Sequence, residues 1–273
     1  MPITADYHIH SHHSGDSTAP MEEMIKSALE KGLAEICFTE HLDLDYPDCP
    51  DLEPGAFDLD VKTYKNELRS LSDKYKEKIA IKFGIEIGMQ TQISHENLEF
   101  SKFDDFDFII ASQHIVDHRD PFYPGFWDPD TVENIMKRYF DLTLENIKLF
   151  SNFDVLGHLD YISRYVPKGD TTYSYERFKD KIDAILIWLV ENGKGLDVNS
   201  KVLGHDDTLP PNPSPEILRR YHELGGRLIT FGSDAHRPEK IACGFMRIRE
   251  IALECGYTQY YTFDHRTPIA HTL

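Results

Sequence analysis

Histidines and carboxylates recur at one kind of position in this 273-residue sequence, the end of a short apolar run. His8 and His10 are spaced i, i+2, and so are Asp234 and His236. Residues two apart on a strand point to the same face, so both members of a pair can reach one ion. The candidate metal ligands are His8, His10, Asp16, His41, Glu86, His114, His158, Asp234 and His236.

Imidazoles and carboxylates brought to one place indicate divalent cations. A lone buried histidine is usually a hydrogen-bonded core residue, but six converging imidazoles require partners, which metal ions supply. A catalytic zinc uses about three protein ligands. The set therefore predicts two or three ions, with Glu86 or Asp234 as a bridge. Mixed nitrogen and oxygen ligands accept Zn, Mn or Fe, so the sequence leaves the metal open.

Such a site in an acidic protein suits a small anionic substrate. The 47 acidic and 29 basic residues leave a formal net charge of -18, which disfavours nucleic-acid backbones and anionic lipid. Three divalent ions would outweigh the local charges of Asp16, Glu86 and Asp234, which makes a phosphate monoester the predicted substrate. With no apolar run of membrane-spanning length and no signal-peptide pattern, we expect a cytoplasmic location, no nucleic-acid or membrane partner, and an undefined oligomeric state.

The elements that must position these residues alternate along the chain. Apolar runs predict strands at Ile3–His10, Ala34–Glu40, Ile79–Ile87, Phe106–Ser112, Asp154–His158, Gly195–Asn199 and Arg227–Ser233. Amphipathic stretches predict helices at Met21–Lys31, Asp60–Lys76, Asp130–Phe150, Phe178–Glu191, Glu216–Leu224 and Glu239–Glu254. This alternation favours a single parallel β/α barrel domain over residues 1–273, closed or nearly closed, because a barrel brings all strand ends to one mouth.

Three further segments accompany the barrel. The loops Leu42–Leu59 and Ile115–Pro129 are rich in proline, aspartate and aromatic residues, and we expect both to overhang the mouth. Tyr257–Phe263 is either an interface strand or a cover over the barrel.

The combined pattern resembles the PHP (polymerase and histidinol phosphatase) family. The resemblance rests on H-x-H, the loop aspartate, T-E-H, G-x-E, S-x-H and G-S-D-A-H, spread from residue 8 to residue 236. The segments S-Q-H-I-V-D-H and H-L-D-Y-I-S-R are similar to the stand-alone histidinol-phosphate phosphatase branch. The resemblance implies a distorted (β/α)7 barrel with a trinuclear metal centre at the C-terminal ends of the strands. It also implies hydrolysis of L-histidinol phosphate to L-histidinol and phosphate, in histidine biosynthesis.

The resemblance further implies how the ligands are shared. The first ion would be held by His8, His10, Glu86 and Asp234. Glu86 would bridge to a second ion held by His114 and His158, and the third ion would be held by Asp16, His41 and His236. A hydroxide between two ions would attack phosphorus. The sixth strand departs from the pattern, since it ends in Asp197-Val198-Asn199 and offers no clear ligand.

Asp160 is the candidate for protonating the leaving group. It follows His158 by two residues and would lie on the same side if the extended backbone continued. The alternative is that Asp160 orients a ligand imidazole.

Other residues are candidates for substrate contact. Arg164 leads for the phosphate, with Arg119 and Arg237 as alternatives, because a guanidinium pairs well with phosphate oxygens. Asn199 either binds substrate or is structural, and Glu40 should point away from the metals as a structural residue. One of the adjacent histidines His12 and His13 could touch substrate. Loop aromatics could stack on an imidazole ring, and loop acids could meet an amine; these are Tyr46, Phe57, Phe122, Tyr123, Phe126 and Trp127, and Asp43, Asp45 and Asp117.

Two other functions fit the same residues. A PHP-like phosphoesterase could act on a different small phosphomonoester or a nucleotide. A catalytically silent metal-binding module is the alternative that is not an enzyme, and the complete ligand set weighs against it.

Overall fold

The computed structural model describes residues 3–49, 51–103, 105–123, 125–206 and 208–273. Seven parallel strands form its main sheet, paired in the order of the sequence. They are β1 (Ala5–Ile9), β2 (Glu35–Leu42), β3 (Ala80–Gly88), β4 (Phe108–Ser112), β5 (Val155–Leu156), β6 (Gly195–Asn199) and β7 (Ile229–Gly232). The helices are α1 (Met21–Glu30), α2 (Val61–Tyr75), α3 (Ser94–Phe100), α4 (Val132–Leu149), α5 (Tyr175–Glu191), α6 (Pro215–Glu223) and α7 (Phe245–Glu254).

The sheet closes on itself between β1 and β7. The Asp234 N–H donates to the His8 carbonyl at 2.7 Å, and the His10 N–H donates to the Ala235 carbonyl at 2.9 Å. An isolated parallel bridge joins Ile9 to Ala235. The predicted (β/α)7 barrel is confirmed.

Local sequence explains where the elements begin. The strands of the barrel are mostly buried on both faces, as expected for a parallel sheet covered by helices. Side chains cap several helices: Asp60 accepts from the Thr63 N–H at 3.1 Å to begin α2, and Thr131 accepts from the Asn134 N–H at 3.2 Å to begin α4. No helix in the described part of the chain is long and apolar enough to cross a membrane.

Two stretches differ from the prediction. The expected helix Glu239–Glu254 is split, because Ala242 and Gly244 adopt positive φ values of 52° and 69° and α7 begins only after them. The short helix α3, between β3 and β4, was not predicted. The assignment of residues 1–273 to one domain stays a prediction.

An antiparallel hairpin covers the N-terminal end of the barrel. Its strands are β8 (Gln259–Asp264) and β9 (Thr267–Thr272). The Tyr7 hydroxyl in β1 accepts from the Phe263 N–H at 2.9 Å and lies 2.9 Å from the Phe263 carbonyl. The Arg266 N–H donates to the Asp107 carbonyl at 2.9 Å, just before β4. The segment at Tyr257–Phe263 therefore covers the barrel, at the end away from the predicted ligands.

Candidate metal centre

The predicted ligands gather at the C-terminal ends of the barrel strands. Parallel register places His41 on β2 directly beside Glu86 on β3. The Glu86 side chain has no exposed surface, and its carboxylate lies at the centre of the histidine cluster.

One oxygen of Glu86 faces three imidazoles. Its Oε2 atom lies 3.0 Å from His8 Nε2, 3.1 Å from His41 Nδ1 and 3.4 Å from His10 Nε2. Asp234 reaches the same group, with its Oδ1 atom 3.6 Å from His10 Nε2.

The other oxygen of Glu86 faces a separate pair of imidazoles. Its Oε1 atom lies 3.1 Å from His158 Nε2 and 3.3 Å from His114 Nε2, and it accepts a hydrogen bond from the Ser112 hydroxyl at 2.6 Å. Each carboxylate oxygen of Glu86 therefore has its own group of imidazoles, an arrangement that would suit a carboxylate shared between two ions.

A third group lies beside the first. The Oδ2 atom of Asp16 is 2.9 Å from His236 Nε2 and 3.9 Å from His41 Nε2. The rings of His10 and His236 have centroids 4.3 Å apart, so the third group shares a wall with the first.

The donor set fits metal ions. Among the described residues, His10 Nε2, His41 Nδ1 and His236 Nε2 are buried and make no hydrogen bond. Since Ser14 donates its hydroxyl proton to Glu40 at 2.6 Å and lies 3.1 Å from His10 Nδ1, that nitrogen carries the proton and Nε2 presents a lone pair. A lone pair aimed at a carboxylate is the arrangement that a bound cation would complete.

The charges in the cluster are strongly coupled. Burial disfavours the Glu86 carboxylate, but the charges of His8 and His41 outweigh it and hold its pKa well below the usual range. Burial lowers the pKa of His158 to about 3, and the Arg164 charge adds to this. Burial, with the charges of neighbouring imidazoles, also lowers the pKa of His10. The lowered pKa values favour the neutral imidazole, the form that binds metal, at His158 and His10. At His8 and His114 burial is outweighed by the charges of nearby carboxylates, which raise the pKa.

Two carboxylates orient ligand imidazoles from behind. Asp197 Oδ2 lies 2.8 Å from His8 Nδ1, and Asp43 Oδ1 lies 2.7 Å from His114 Nδ1. From the sequence, Asp197 had no predicted role, and Asp43 was expected to contact the amine of the substrate. The signal for Asp43 was its i, i+2 spacing from the ligand His41, whereas Asp197 is not spaced in this way from any predicted ligand.

Glu40 has the structural role predicted for it. Its buried carboxylate accepts from the Ser11 N–H at 3.0 Å, and from the hydroxyls of Ser11 at 2.5 Å and Ser14 at 2.6 Å. It therefore holds the loop that leads from His10 to Asp16.

A cavity of about 480 Å³ opens above the cluster. Both long loops contribute to it, the first through Tyr46 and Phe57 and the second through Asp120 and Phe122. The Tyr46 hydroxyl donates to Asp120 and ties the two loops together. Tyr161 supplies a third aromatic wall. The expectation that these loops overhang the mouth is confirmed.

Arg164 is the arginine that reaches this cavity. Its guanidinium lies 3.3 Å from Asp234 Oδ2 and donates to Asn199 Oδ1 at 2.9 Å and Asn212 Oδ1 at 2.7 Å. Lys201, which the sequence analysis missed, also lines the cavity, with Nζ 2.9 Å from Asp234 Oδ1. Its signal was its position just beyond the end of β6.

Asp160 lies behind the cavity wall. Its buried carboxylate accepts from Tyr173 Oη at 2.6 Å, Asn212 Nδ2 at 2.8 Å and the Ser214 N–H at 3.1 Å. The extended backbone assumed for it ends before His158, because β5 stops at Leu156 and a 3₁₀ turn follows. Neither acid catalysis nor the orientation of an imidazole gains support from these contacts.

Asn199 is also held by protein atoms. Its amide nitrogen donates to Asp234 Oδ2 at 3.1 Å, and its oxygen accepts from Arg164 and from the Lys201 N–H. These contacts favour the structural alternative, and direct binding to substrate stays a prediction.

Several expected substrate contacts lie elsewhere. Arg119 packs on Phe126, 5.1 Å from its ring centroid, and donates to its carbonyl. Asp117 forms an ion pair with Arg138 at 2.6 Å on α4. The other predicted contact residues that do not line the cavity are His12, His13, Asp45, Phe126, Trp127 and Arg237.

Comparison with known proteins agrees with the fold. Residues 6–201 match the PHP domain family. This match spans more than half of the chain, and the chain belongs to the PHP domain family.

Two named relatives and one solved structure are similar to this chain over most of its length. The chain is 31% identical over 261 residues to a histidinol-phosphatase of Lactococcus lactis subsp. lactis, covering 95% of this chain and 94% of the relative. It is 31% identical over 251 residues to a probable histidinol-phosphatase of Clostridium acetobutylicum, covering 92% and 93%. The crystal structure of the Lactococcus lactis histidinol phosphate phosphatase, complexed with Zn, L-histidinol and phosphate, superposes with a TM-score of 0.89 at 30% identity, covering 97% of this chain and 98% of that one.

Proposed function

We propose that this protein is a metal-dependent phosphatase that hydrolyses L-histidinol phosphate to L-histidinol and phosphate. The observation that carries the proposal is the geometry around Glu86, whose two oxygens serve two groups of imidazoles at the floor of a cavity with Arg164 on its wall. The structure of the Lactococcus lactis relative, which is complexed with Zn, L-histidinol and phosphate, supports L-histidinol phosphate as the substrate.

The nine predicted ligands would hold two to three divalent ions. Bound ions would neutralise phosphoryl oxygens and generate a nucleophile from water at neutral pH. Glu86 would be shared between two of them, and zinc is the expected metal, with Mn or Fe as alternatives. Asp16, His41 and His236 would complete the third site.

The chain's own cations would bind the phosphate. Arg164 and Lys201 approach Asp234 from the β5 and β6 side, and both line the cavity. Asn199 and Asn212 hold the guanidinium of Arg164 in place, and Asp160 in turn holds Asn212. Asp160 would therefore act as a positioning residue.

The loops would select the leaving group. Histidinol carries an imidazole ring and an ammonium group. Phe57, Phe122 and Tyr161 offer faces for the ring. Of the three carboxylates that the two long loops bring to the cavity, Asp43 contacts His114, which leaves Asp51 and Asp120. They would take the place of Asp45 and Asp117 as partners for the amine. The predicted cytoplasmic location, and the absence of nucleic-acid and membrane partners, remain predictions.

Phosphate release from L-histidinol phosphate tests the proposal. Protein stripped of metal should be inactive, and refilling with Zn or Mn should restore turnover well above that on an aryl phosphate. If nucleotides or generic phosphomonoesters turned over equally well, the site would stand and the substrate would be wrong. Refilled protein without any phosphatase activity would support a silent metal-binding module.

A further inference from the structure

A second cluster of metal-binding side chains lies outside the cavity. His12 and His13 follow β1 in the loop that leads to α1, and Glu67 lies on α2. The Nε2 atoms of His12 and His13 are 3.3 and 2.9 Å from one atom, Oε2 of Glu67. None of the three residues lines the cavity.

The spacing of these three atoms suits a single ion. Four-coordinate zinc, at roughly 2.1 Å from its ligands, keeps them about 3.4 Å apart. The three ligand atoms lie within 4.8 Å of one another, so small side-chain rotations would admit an ion. The His13 contact with the carboxylate is a hydrogen bond at 2.9 Å, and His12 Nε2 approaches the same oxygen at 3.3 Å.

Burial gives the cluster a fixed side and an open side. The His13 side chain is only 8% exposed and packs beside Tyr64, with ring centroids 5.6 Å apart. The His12 and Glu67 side chains are 41% and 35% exposed. An ion held there would keep water in its remaining positions.

We propose that His12, His13 and Glu67 form a separate, solvent-facing site for a divalent transition metal, with zinc as the expected ion. Two imidazoles and one carboxylate favour zinc over magnesium or calcium, which take oxygen ligands. With three protein ligands and solvent access, the site binds zinc more weakly than the buried centre does.

The site would join two elements near the metal centre. The loop that carries His12 and His13 continues to Ser14, which contacts His10, and to Asp16. An ion bound to Glu67 would tether this loop to α2. The proposal does not depend on which phosphate ester the protein hydrolyses.

Zinc stoichiometry tests the proposal. With the buried centre filled, equilibrium dialysis over rising free zinc, followed by elemental analysis, should give one more zinc per chain for wild type than for Glu67→Gln or His12→Ala. Glu67→Gln keeps the size of the side chain and removes its charge. His265→Ala, which removes an exposed histidine 3.7 Å from Asp107, is the control and should match wild type.

A second titration identifies the ligands. Cobalt is added to protein in which zinc fills the buried centre and the proposed site is still free. It should produce visible d–d absorption in wild type and His265→Ala but not in Glu67→Gln. Equal zinc and equal cobalt absorption in wild type and Glu67→Gln would overturn the proposal, and so would an equal loss in His265→Ala. Circular dichroism of each variant checks its fold.

Discussion

For two of the histidines, a carboxylate behind the ring determines which ring nitrogen faces Glu86. Asp197 contacts His8 at Nδ1, and Asp43 contacts His114 at Nδ1, which leaves both Nε2 atoms facing Glu86. A carboxylate behind a histidine fixes its tautomer and makes the ring a stronger ligand. These contacts predict sensitivity at residues that touch neither substrate nor metal.

Replacing Asp197 with Asn should weaken the centre without unfolding the protein. Asparagine keeps the shape but loses the charge that supports His8, so we expect about a 10- to 100-fold loss in metal affinity or activity. Metal content by elemental analysis and kcat for phosphate release would measure it. Asp107→Asn, which changes a carboxylate at the opposite end of the barrel, should leave both values unchanged. Wild-type values in Asp197→Asn would show that Asp197 has no part in orienting His8.

Asp160→Asn separates acid catalysis from positioning. If Asp160 holds Asn212, as the contacts indicate, the variant should lose about 1–3 kcal/mol of stability and slow all substrates alike. An acid that protonates the leaving group matters far more for an alkyl phosphate than for 4-nitrophenyl phosphate, whose leaving group needs no proton. A loss confined to L-histidinol phosphate would therefore restore the catalytic role.

The residue pattern was informative where the backbone is regular. The i, i+2 rule correctly brought His8 and His10 together, because β1 stays extended to Ile9. The same rule puts Asp160 on the side of His158, but the structure places Asp160 behind the cavity wall because the chain turns directly after β5. Hydrophobic periodicity predicts a strand, but the residue at which the strand gives way to a turn depends on tertiary contacts such as the one between Asp160 and Ser214.

At the scale of elements, the barrel strands were more predictable than the loops. A run such as β4 is apolar because both of its faces are buried, and this signal is local. The loops owe their arrangement to contacts between distant segments, of which the Tyr46–Asp120 pair is the clearest. The sequence therefore predicted that the loops overhang the site but not which of their acids face it.

Tyr46→Phe should loosen the two loops while leaving the metal cluster intact. The variant loses a hydrogen bond to a carboxylate, so we expect KM to rise about 3- to 10-fold with little change in kcat. Steady-state kinetics measures both constants, and hydrogen exchange should show faster exchange in both loops. Tyr75→Phe, which loses a hydroxyl contact to Glu22 on the outer helices, is the matched control. An unchanged KM would mean that the tie does not affect substrate binding.

At the scale of the whole molecule, the two ends of the barrel have separate tasks. The predicted metal ligands and the cavity lie at the C-terminal end of the barrel, and the hairpin β8–β9 covers the N-terminal end. Arg266 anchors the hairpin, with Nε 2.5 Å from Asp154 Oδ2, and burial raises the pKa of Asp154. Stability and activity should therefore respond to different substitutions.

Arg266→Ala should destabilise the fold and spare the chemistry. It leaves the mostly buried Asp154 carboxylate without its cation, so we expect a loss of about 1–3 kcal/mol in the free energy of unfolding at pH 7, with kcat unchanged. The raised pKa means that Asp154 becomes protonated, and loses its charge, at a higher pH than an ordinary aspartate. The loss in the free energy of unfolding should therefore shrink in acid, where Asp154 no longer needs a cation. Denaturant unfolding of wild type and variant at pH 7 and at acidic pH measures the difference in the free energy of unfolding. Arg247→Ala, at a surface pair with Glu250, should change stability by less than about 0.5 kcal/mol. A fall in kcat for Arg266→Ala would contradict the separation.

The closure between β1 and β7 has a consequence for how the protein is made. His8 belongs to the first strand and Asp234 follows the last, so the two meet only after the whole barrel has been synthesised. A nascent chain that has reached β6 carries most of the histidines but lacks the residues that complete their site. Completion of the candidate site is therefore a late event in synthesis, because Asp234 and His236 are added only after the seventh barrel strand.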